Sequence, residues 1–158
     1  MTDTYTFQSP IGLLMISEEN GVLTGLSLKK ESAGNSLLQK YIQHSDLLYE
    51  AYRQLNEYFA GKRTRFDLPL HCNGTAFQKK VWNELQNIPY GETRSYEDIA
   101  ASIGNPNAVR AVGQANGKNP ILIIIPCHRV IHKNGDIAGF ACGTDVKKYL
   151  LALEQNSI

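Results

Sequence analysis

The chain of 158 residues has no long apolar run, no closely spaced cysteine pair and almost no net charge. A membrane-spanning helix needs about 20 apolar residues, far more than the longest strongly apolar run at 121–126, so we expect no membrane span. The amino terminus lacks a basic segment followed by an apolar one, and we expect a cytoplasmic protein. Its cysteines (Cys72, Cys127 and Cys142) are an odd number at wide spacing and form no disulfide framework.

The composition indicates a folded protein rather than a disordered chain or a coiled coil. Hydrophobic residues make up 42% and charged residues 20% of the chain, which is enough apolar material for a core. A net charge of +1 gives no bulk attraction to nucleic acid. Residues 104–135, however, contain basic side chains and no acidic one: Arg110, Lys118, Arg129 and Lys133. This segment predicts either a phosphate-binding patch or an ordinary solvated surface.

Residues 1–70 predict a small α+β lobe made of a hairpin-rich sheet and a helix. Apolar runs alternate with turn residues, and Asn20-Gly21 between two such runs is a strong hairpin signal. Apolar residues at helical spacing from 45 to 60, followed by Gly61, predict a helix with a glycine after its end. The basic, irregular stretch after Gly61 predicts a linker to a second domain.

Residues 71–158 predict a domain of short helices followed by a hairpin. Residues 75–78 and 95–98 match capping boxes that open two helices, and Asn105-Pro106 predicts the start of a third helix over 107–116. We expect a strand over 121–125, then a hairpin around Asn134-Gly135. A final helix is predicted over 144–154. Helix-turn-helix plus hairpin is a winged-helix plan, and the whole chain is therefore predicted to be α+β.

A thiol beside an imidazole, Cys127-His128, follows the predicted buried strand. A free thiol is only roughly 3% thiolate at pH 7, and raising that fraction to half takes about 2 kcal/mol. His128, or a water that it holds, is a candidate acceptor for the thiol proton. The residues alone leave two interpretations open: a nucleophilic cysteine, or a small buried cysteine beside an ordinary buried histidine.

Residues 126–130, Pro-Cys-His-Arg-Val, resemble the signature of the O6-alkylguanine-DNA alkyltransferases. The resemblance extends over about half of the chain, from Phe77 to Glu154. Its further motifs, in the family's order and spacing, are Tyr90-Gly91-Glu-Thr, Ser95-Tyr96, Gly104-Asn105-Pro106, Val109-Arg110-Ala-Val-Gly113, Asn119-Pro120 and Val146-Lys147. The first lobe matches only in length and general pattern.

The resemblance implies irreversible transfer of an alkyl group from O6 of guanine, with O4-alkylthymine as a further candidate substrate, to Cys127. His128 corresponds to the base that acts through a water, and Glu154 to the carboxylate that orients it. Tyr96 corresponds to the proton donor for the departing guanine, and Asn119 to a hinge residue bonded near the cysteine. The enzyme would be a single-turnover methylated-DNA–protein-cysteine methyltransferase that needs no cofactor and no metal.

The implied partner is double-stranded DNA that carries O6-alkylguanine, bound through its minor groove by a monomer. Such a base must be flipped out of the helix to reach a folded protein's thiol. Arg110 corresponds to the residue that fills the gap in the stack. The other positions that match family contacts to DNA are Val109, Gly113, Asn105, Gln78, Lys133 and Arg129. Those that match the wall of the base pocket are Phe140, Ala141 and Lys147.

Two residues of the predicted pocket wall depart from the family pattern: Ala141 lacks a hydroxyl that some members carry, and Cys142 replaces a glycine. An alternative function is an alkyltransferase-like protein that binds lesions without repairing them, but such proteins lack the signature cysteine. A sequence-reading winged-helix regulator would need longer polar side chains on its recognition helix. A cysteine hydrolase would need an oxyanion hole, for which the sequence shows no signature.

Overall fold

The computed structural model describes residues 2–29, 45–137, 140 and 142–156, and the chain divides into two compact units, 1–72 and 73–158. The strands in the described ranges are β1 (Thr2–Ser9), β2 (Gly12–Glu19), β3 (Val22–Lys29), β4 (Arg94–Ser95) and β5 (Val130–Ile131). The α-helices there are α1 (Asp46–Phe59), α2 (Ala76–Leu85), α3 (Tyr96–Ser102), α4 (Val109–Gly117) and α5 (Thr144–Asn156). None of these helices is long and apolar enough to cross a membrane.

The first unit is an antiparallel sheet in the order β1-β2-β3 with α1 packed against it. The predicted turn between β2 and β3 is confirmed: Asn20 and Gly21 have φ of 53° and 83°, values that favour these residue types. The predicted helix is also confirmed, and the Ser45 side chain caps it by accepting a hydrogen bond from the Leu48 amide. Burial of Leu48 and the other apolar side chains between helix and sheet forms the core of this unit.

The second unit is built from short helices whose starts follow the predicted caps. Thr75 and Ser95 both form capping boxes, so α2 and α3 begin where the sequence indicates. Helix α4 packs against α2 and α3, and the indole N–H of Trp82 donates a 2.9 Å hydrogen bond to the Ala115 carbonyl. The predicted start of the third helix is wrong, because α4 begins at Val109 after Ala108, with no side-chain cap from Asn105.

The predicted strand over 121–125 is wrong, because this segment folds into consecutive tight turns. The Ile124 amide bonds the Leu122 carbonyl at 2.6 Å, and the Ile125 amide bonds the Ile121 carbonyl at 3.0 Å. Ile123 has a φ of 69°, a left-handed conformation that a β-branched residue rarely adopts. The segment is nevertheless buried, so a continuous apolar run indicated burial correctly but the wrong local structure.

The predicted hairpin around Asn134-Gly135 is described in part. The turn is confirmed, since the Gly135 amide bonds the His132 carbonyl at 2.8 Å and Gly135 has a φ of 90°. The strand before the turn, β5, pairs in parallel with β4. Residues 138 and 139, on which the second predicted strand falls, lie outside the described residues.

Candidate active site

Cys127 lies at the first position of a short 3-10 turn, Cys127–Arg129, directly after the tight turns of residues 121–125. Its amide donates a 2.8 Å hydrogen bond to the Ile125 carbonyl, and the residue is 2% exposed. These turns, in place of the predicted strand, therefore bring the thiol to a fixed, buried position.

Two asparagines hold the backbone around the thiol. The Asn119 side chain donates to the Ile125 carbonyl at 2.7 Å and accepts from the Ile121 amide at 3.0 Å, so it closes the turn segment on itself. The same side chain also hydrogen-bonds Cys127. From helix α4, the buried Asn116 side chain donates to the Cys127 carbonyl at 3.3 Å. These contacts place Asn119 next to the segment that carries the cysteine, where the family resemblance expects a hinge residue.

His128 and Glu154 form a buried pair, with Nε2 of the imidazole 2.6 Å from Oε2 of the carboxylate. Arg129 binds the same carboxylate through two nitrogens, Nε at 2.8 Å and a terminal nitrogen at 3.0 Å. Burial by itself raises the pKa of Glu154, but the hydrogen bonds from His128 and Arg129 outweigh it and lower that pKa to about 2. Glu154 is therefore a carboxylate that only accepts hydrogen bonds.

The tautomer of His128 follows from this charge. Burial lowers the pKa of His128 despite the opposing effect of Glu154, so the imidazole is neutral at pH 7. A neutral imidazole carries one N–H, and a carboxylate at Nε2 requires that proton there. Nδ1 is then a bare acceptor, and it has no hydrogen-bond partner among the described residues. The free acceptor lies on the residue that adjoins the thiol in the chain.

The resting thiol is protonated. Burial raises the pKa of Cys127 to about 11, although the Asn119 hydrogen bond and the Lys147 charge act in the opposite direction. Lys147 on α5 is fully buried, and its ammonium donates a 2.5 Å hydrogen bond to the Val130 carbonyl. The site thus contains a shielded thiol together with a hydrogen-bond donor and a cation that favour its ionised form.

Tyr96, the first residue of α3, connects this buried site to a surface cleft of about 560 Å³. Its pKa is raised, first by burial and then by the negative charge that Cys127 carries when ionised. The Lys147 ammonium lies 6.0 Å from the centroid of the Tyr96 ring and 5.4 Å from that of the Phe140 ring. The phenol is therefore protonated at neutral pH. It lines the cleft, and it is close enough to Cys127 for the charge of an ionised thiol to raise its pKa.

The cleft also contains part of the predicted DNA-contacting set. Its lining residues are Tyr96, Glu97, Val109, Arg110, Gly113, Gln114 and His132. Arg110 is exposed on α4, as a residue that enters DNA would have to be. Asn105 and Lys133 are exposed but do not line this cleft. The Gln78 side chain caps α2, because its oxygen accepts a 3.0 Å hydrogen bond from the Thr75 amide.

Arg129 is a correction to the predicted DNA contacts. The residue is 7% exposed, and besides its two bonds to Glu154 it donates a 2.7 Å hydrogen bond to the Ile88 carbonyl. A guanidinium held in this way is not available to a phosphate. Of the basic residues in segment 104–135, only Arg110, Lys118 and Lys133 are exposed. Arg129 instead supports the His128–Glu154 pair.

The predicted pocket wall is described in part. Phe140 lies close to the Lys147 ammonium, and Cys142 is partly exposed, with a thiol pKa raised by burial. Ala141 lies outside the described residues. Within the described ranges no cluster of histidine, cysteine and acidic side chains is arranged to hold a metal ion.

Three residues near the site had no signal in the sequence. Asn116, on the buried side of α4, looks like any polar helix residue until its contact with the Cys127 carbonyl is seen. Glu97 and His132 line the cleft because β4 and β5 pair in parallel and bring their flanking residues together. Only that long-range pairing could have identified them.

Fold and site together define a class: an α+β protein with one deeply buried thiol, whose neighbouring histidine is held by a carboxylate as a proton acceptor. Family models agree with this class. Residues 4–72 match the ribonuclease-like domain of 6-O-methylguanine DNA methyltransferase, and residues 76–156 match its DNA binding domain. The chain belongs to the 6-O-methylguanine DNA methyltransferase family. The predicted resemblance is confirmed.

Individual relatives match over nearly the full chain. A Methanosarcina acetivorans methylated-DNA–protein-cysteine methyltransferase is 48% identical over 94% of this chain and 95% of that protein. The crystal structure of Mycobacterium tuberculosis O6-methylguanine methyltransferase has a TM-score of 0.88 at 46% identity, covering 100% of this chain and 95% of that one. The structure of Mycobacterium tuberculosis OGT in complex with DNA has a TM-score of 0.86 at 45% identity, covering 98% and 93%. The predicted α+β class is confirmed by these neighbours.

Proposed function

We propose that this chain is a direct-reversal DNA repair enzyme, a methylated-DNA–protein-cysteine methyltransferase that moves the alkyl group of O6-alkylguanine onto Cys127. The observation that carries the proposal is the arrangement at the 3-10 turn. A buried thiol is followed in the chain by a histidine whose Nε2 is held by Glu154 at 2.6 Å, while its Nδ1 has no hydrogen-bond partner in the described part of the chain. Relatives at 48% identity carry the corresponding enzyme name.

The transfer balances with the groups present. The thiol proton of Cys127 passes through a water to Nδ1 of His128, whose positive charge Glu154 stabilises. The sulfur then attacks the alkyl carbon, and the bond from that carbon to O6 breaks with its electron pair moving into the purine. Tyr96 gives its hydroxyl proton to a purine ring nitrogen, so guanine leaves neutral. The imidazolium later returns a proton to the Tyr96 phenolate.

The product explains a single turnover. A thioether has no ionisable proton, so Cys127 cannot be regenerated by any of the neighbouring groups. The alkyl donor is the damaged base itself, and we therefore propose that no cofactor takes part. The lesion-binding alternative is disfavoured because this chain has a cysteine where those proteins do not.

DNA binding is supported by the family's DNA binding domain and by the neighbour solved with DNA. Because Cys127 is 2% exposed, a base inside a duplex cannot reach it, and base flipping is required. The cleft beside Tyr96, about 560 Å³, supports the proposal that it takes one base, and we propose that Arg110, which also lines it, fills the gap left in the stack. Helix α4 has mostly small residues around Arg110, which suits approach to a minor groove. A monomer in the cytoplasm remains our prediction.

A quantitative repair assay tests this function. Protein is mixed with excess duplex DNA that contains one O6-methylguanine, and the modified base left after digestion is measured by mass spectrometry. We expect one lesion lost per protein molecule, no loss with Cys127→Ser, and normal loss with Cys72→Ser in the first unit. Loss of the lesion with Cys127→Ser would contradict the assigned nucleophile. Binding without any loss by the unaltered protein would support the lesion-binding alternative.

A further inference from the structure

His132 lies against the ring of Tyr96, at the junction of two clefts. The ring centroids are 5.0 Å apart and the planes are tilted by 46°. His132 and Glu97 line both the 560 Å³ cleft next to Arg110 and a neighbouring polar cleft of 370 Å³. The imidazole therefore contacts the proposed proton donor from the side on which DNA would bind.

The backbone fixes His132 in this place. It directly follows β5, whose Ile131 is paired with Ser95, the residue before Tyr96. The His132 amide donates to the Asp136 carbonyl at 2.9 Å, and its own carbonyl accepts from the Gly135 amide at 2.8 Å. Strand pairing on one side and a closed turn on the other hold the imidazole beside the phenol.

The proposed transfer creates a need for positive charge at this position. When Tyr96 gives its proton to guanine it becomes a phenolate, and the Lys147 ammonium, whose pKa is lowered by burial, lies 6.0 Å from the centroid of its ring. Histidine is the side chain whose charge ordinarily changes between about pH 5 and 8. A protonated imidazole in contact with the ring would add a second positive charge where the phenolate forms.

We propose that His132 is a positioning residue for Tyr96. The imidazole holds the phenol by ring packing and, when it is protonated, speeds the transfer by stabilising the Tyr96 phenolate. This inference rests on the proposed function. The step moves one proton: the Tyr96 hydroxyl proton goes to the purine nitrogen, and the O–H electron pair stays on the phenolate oxygen.

Two acidic and two basic side chains surround His132, so their formal charges cancel. Glu97 from α3 and Asp136 from the same loop are acidic, whereas Arg110 from α4 and Lys133 from the loop are basic, and all four line the clefts that His132 lines. Because a His132 variant leaves these four side chains unchanged, a pH-dependent difference in rate between that variant and the unaltered protein reports on the imidazole itself.

The test compares single-turnover rate constants, measured with protein in saturating excess over duplex DNA carrying one O6-methylguanine, at about pH 6, 7 and 8. His132→Phe keeps a ring against Tyr96 but cannot be protonated, and His132→Gln checks the result without a ring. His71→Phe, at an exposed histidine of the first unit, is the matched control. Dividing the rate constant of the unaltered protein by that of each variant removes the pH effects of Cys127 and His128, which all of these proteins share.

We expect this ratio to rise roughly two- to fivefold from pH 8 to pH 6 for both His132 variants, the size of an exposed cation–π contribution. For His71→Phe the ratio should stay at one. A ratio for His132→Phe that is flat or falls toward low pH would overturn the inference while leaving repair itself intact. If the unaltered protein transfers nothing at any pH, the proposed function fails, and this inference fails with it.

Discussion

Replacing Glu154 by glutamine should destabilise the protein strongly, because it removes the charge that keeps two buried groups satisfied. Glu154 is 1% exposed and binds Nε2 of His128 at 2.6 Å and Arg129 at 2.8 and 3.0 Å. It also accepts a 3.3 Å hydrogen bond from the Gly91 amide. The glutamine amide cannot accept all of these bonds, and it leaves the Arg129 guanidinium buried without a counter-charge.

The expected size follows from that uncompensated charge. Breaking a buried ion pair by removing one partner costs about 3–5 kcal/mol, against a typical total stability of about 5–15 kcal/mol. Glu92→Gln is the matched control, since Glu92 pairs with Arg94 at 3.1 Å with side-chain exposures of 52% and 39%. Exposed pairs of this kind contribute at most about 1 kcal/mol.

Urea unfolding followed by circular dichroism measures both variants. We expect the midpoint of Glu154→Gln to fall far below that of Glu92→Gln with an unchanged slope. Adding Arg129→Met removes the second buried charge and should restore part of the lost stability. A free energy of unfolding for Glu154→Gln within about 1 kcal/mol of that of the unaltered protein would refute the claim that Arg129 depends on this carboxylate.

Three further outcomes follow from the site. Asn119→Ala should slow alkylation of Cys127 by iodoacetamide, because the Asn119 hydrogen bond lowers the thiol pKa and its loss raises that pKa; an unchanged rate would contradict that contact. The single-turnover repair rate should rise from about pH 6 to about pH 9, because burial raises the Cys127 pKa to about 11 and the thiolate is the nucleophile; a rate that falls over this range would argue against a thiolate. Arg110→Ala should slow repair of duplex DNA far more than transfer from the free base, O6-methylguanine. Equal slowing on both substrates would contradict a role of Arg110 in base flipping.

Features set by neighbouring residues were predictable from the sequence. The capping boxes at Thr75 and Ser95 and the Asn20-Gly21 turn depend on hydrogen bonds and φ values within four residues, and each forms as predicted. The predicted partnership of His128 and Glu154 came from the family resemblance, and the structure brings the two side chains together at 2.6 Å.

Features set by distant contacts were not predictable. The turns at 121–125 were missed for a different reason: a continuous apolar run indicates burial, but it reveals neither the positive φ of Ile123 nor the bonds that Asn119 makes to residues two and six positions ahead. Arg129 looked like a phosphate ligand by its charge, yet Glu154, which lies 25 positions further along the chain, draws it into the interior. The contact of His132 with Tyr96 likewise exists only through the pairing of β4 with β5.

Peptide mapping after reaction shows which residue is the alkyl acceptor, which we expect to be Cys127. The protein is incubated with duplex DNA carrying one O6-methylguanine and digested with trypsin, which releases Asn119–Arg129 with Cys127 as its only thiol. We expect a gain of one methylene mass in this peptide, saturating at one per protein, and none in the peptides that contain Cys72 or Cys142. A methyl group on another cysteine, or repaired DNA with no modified peptide, would contradict it.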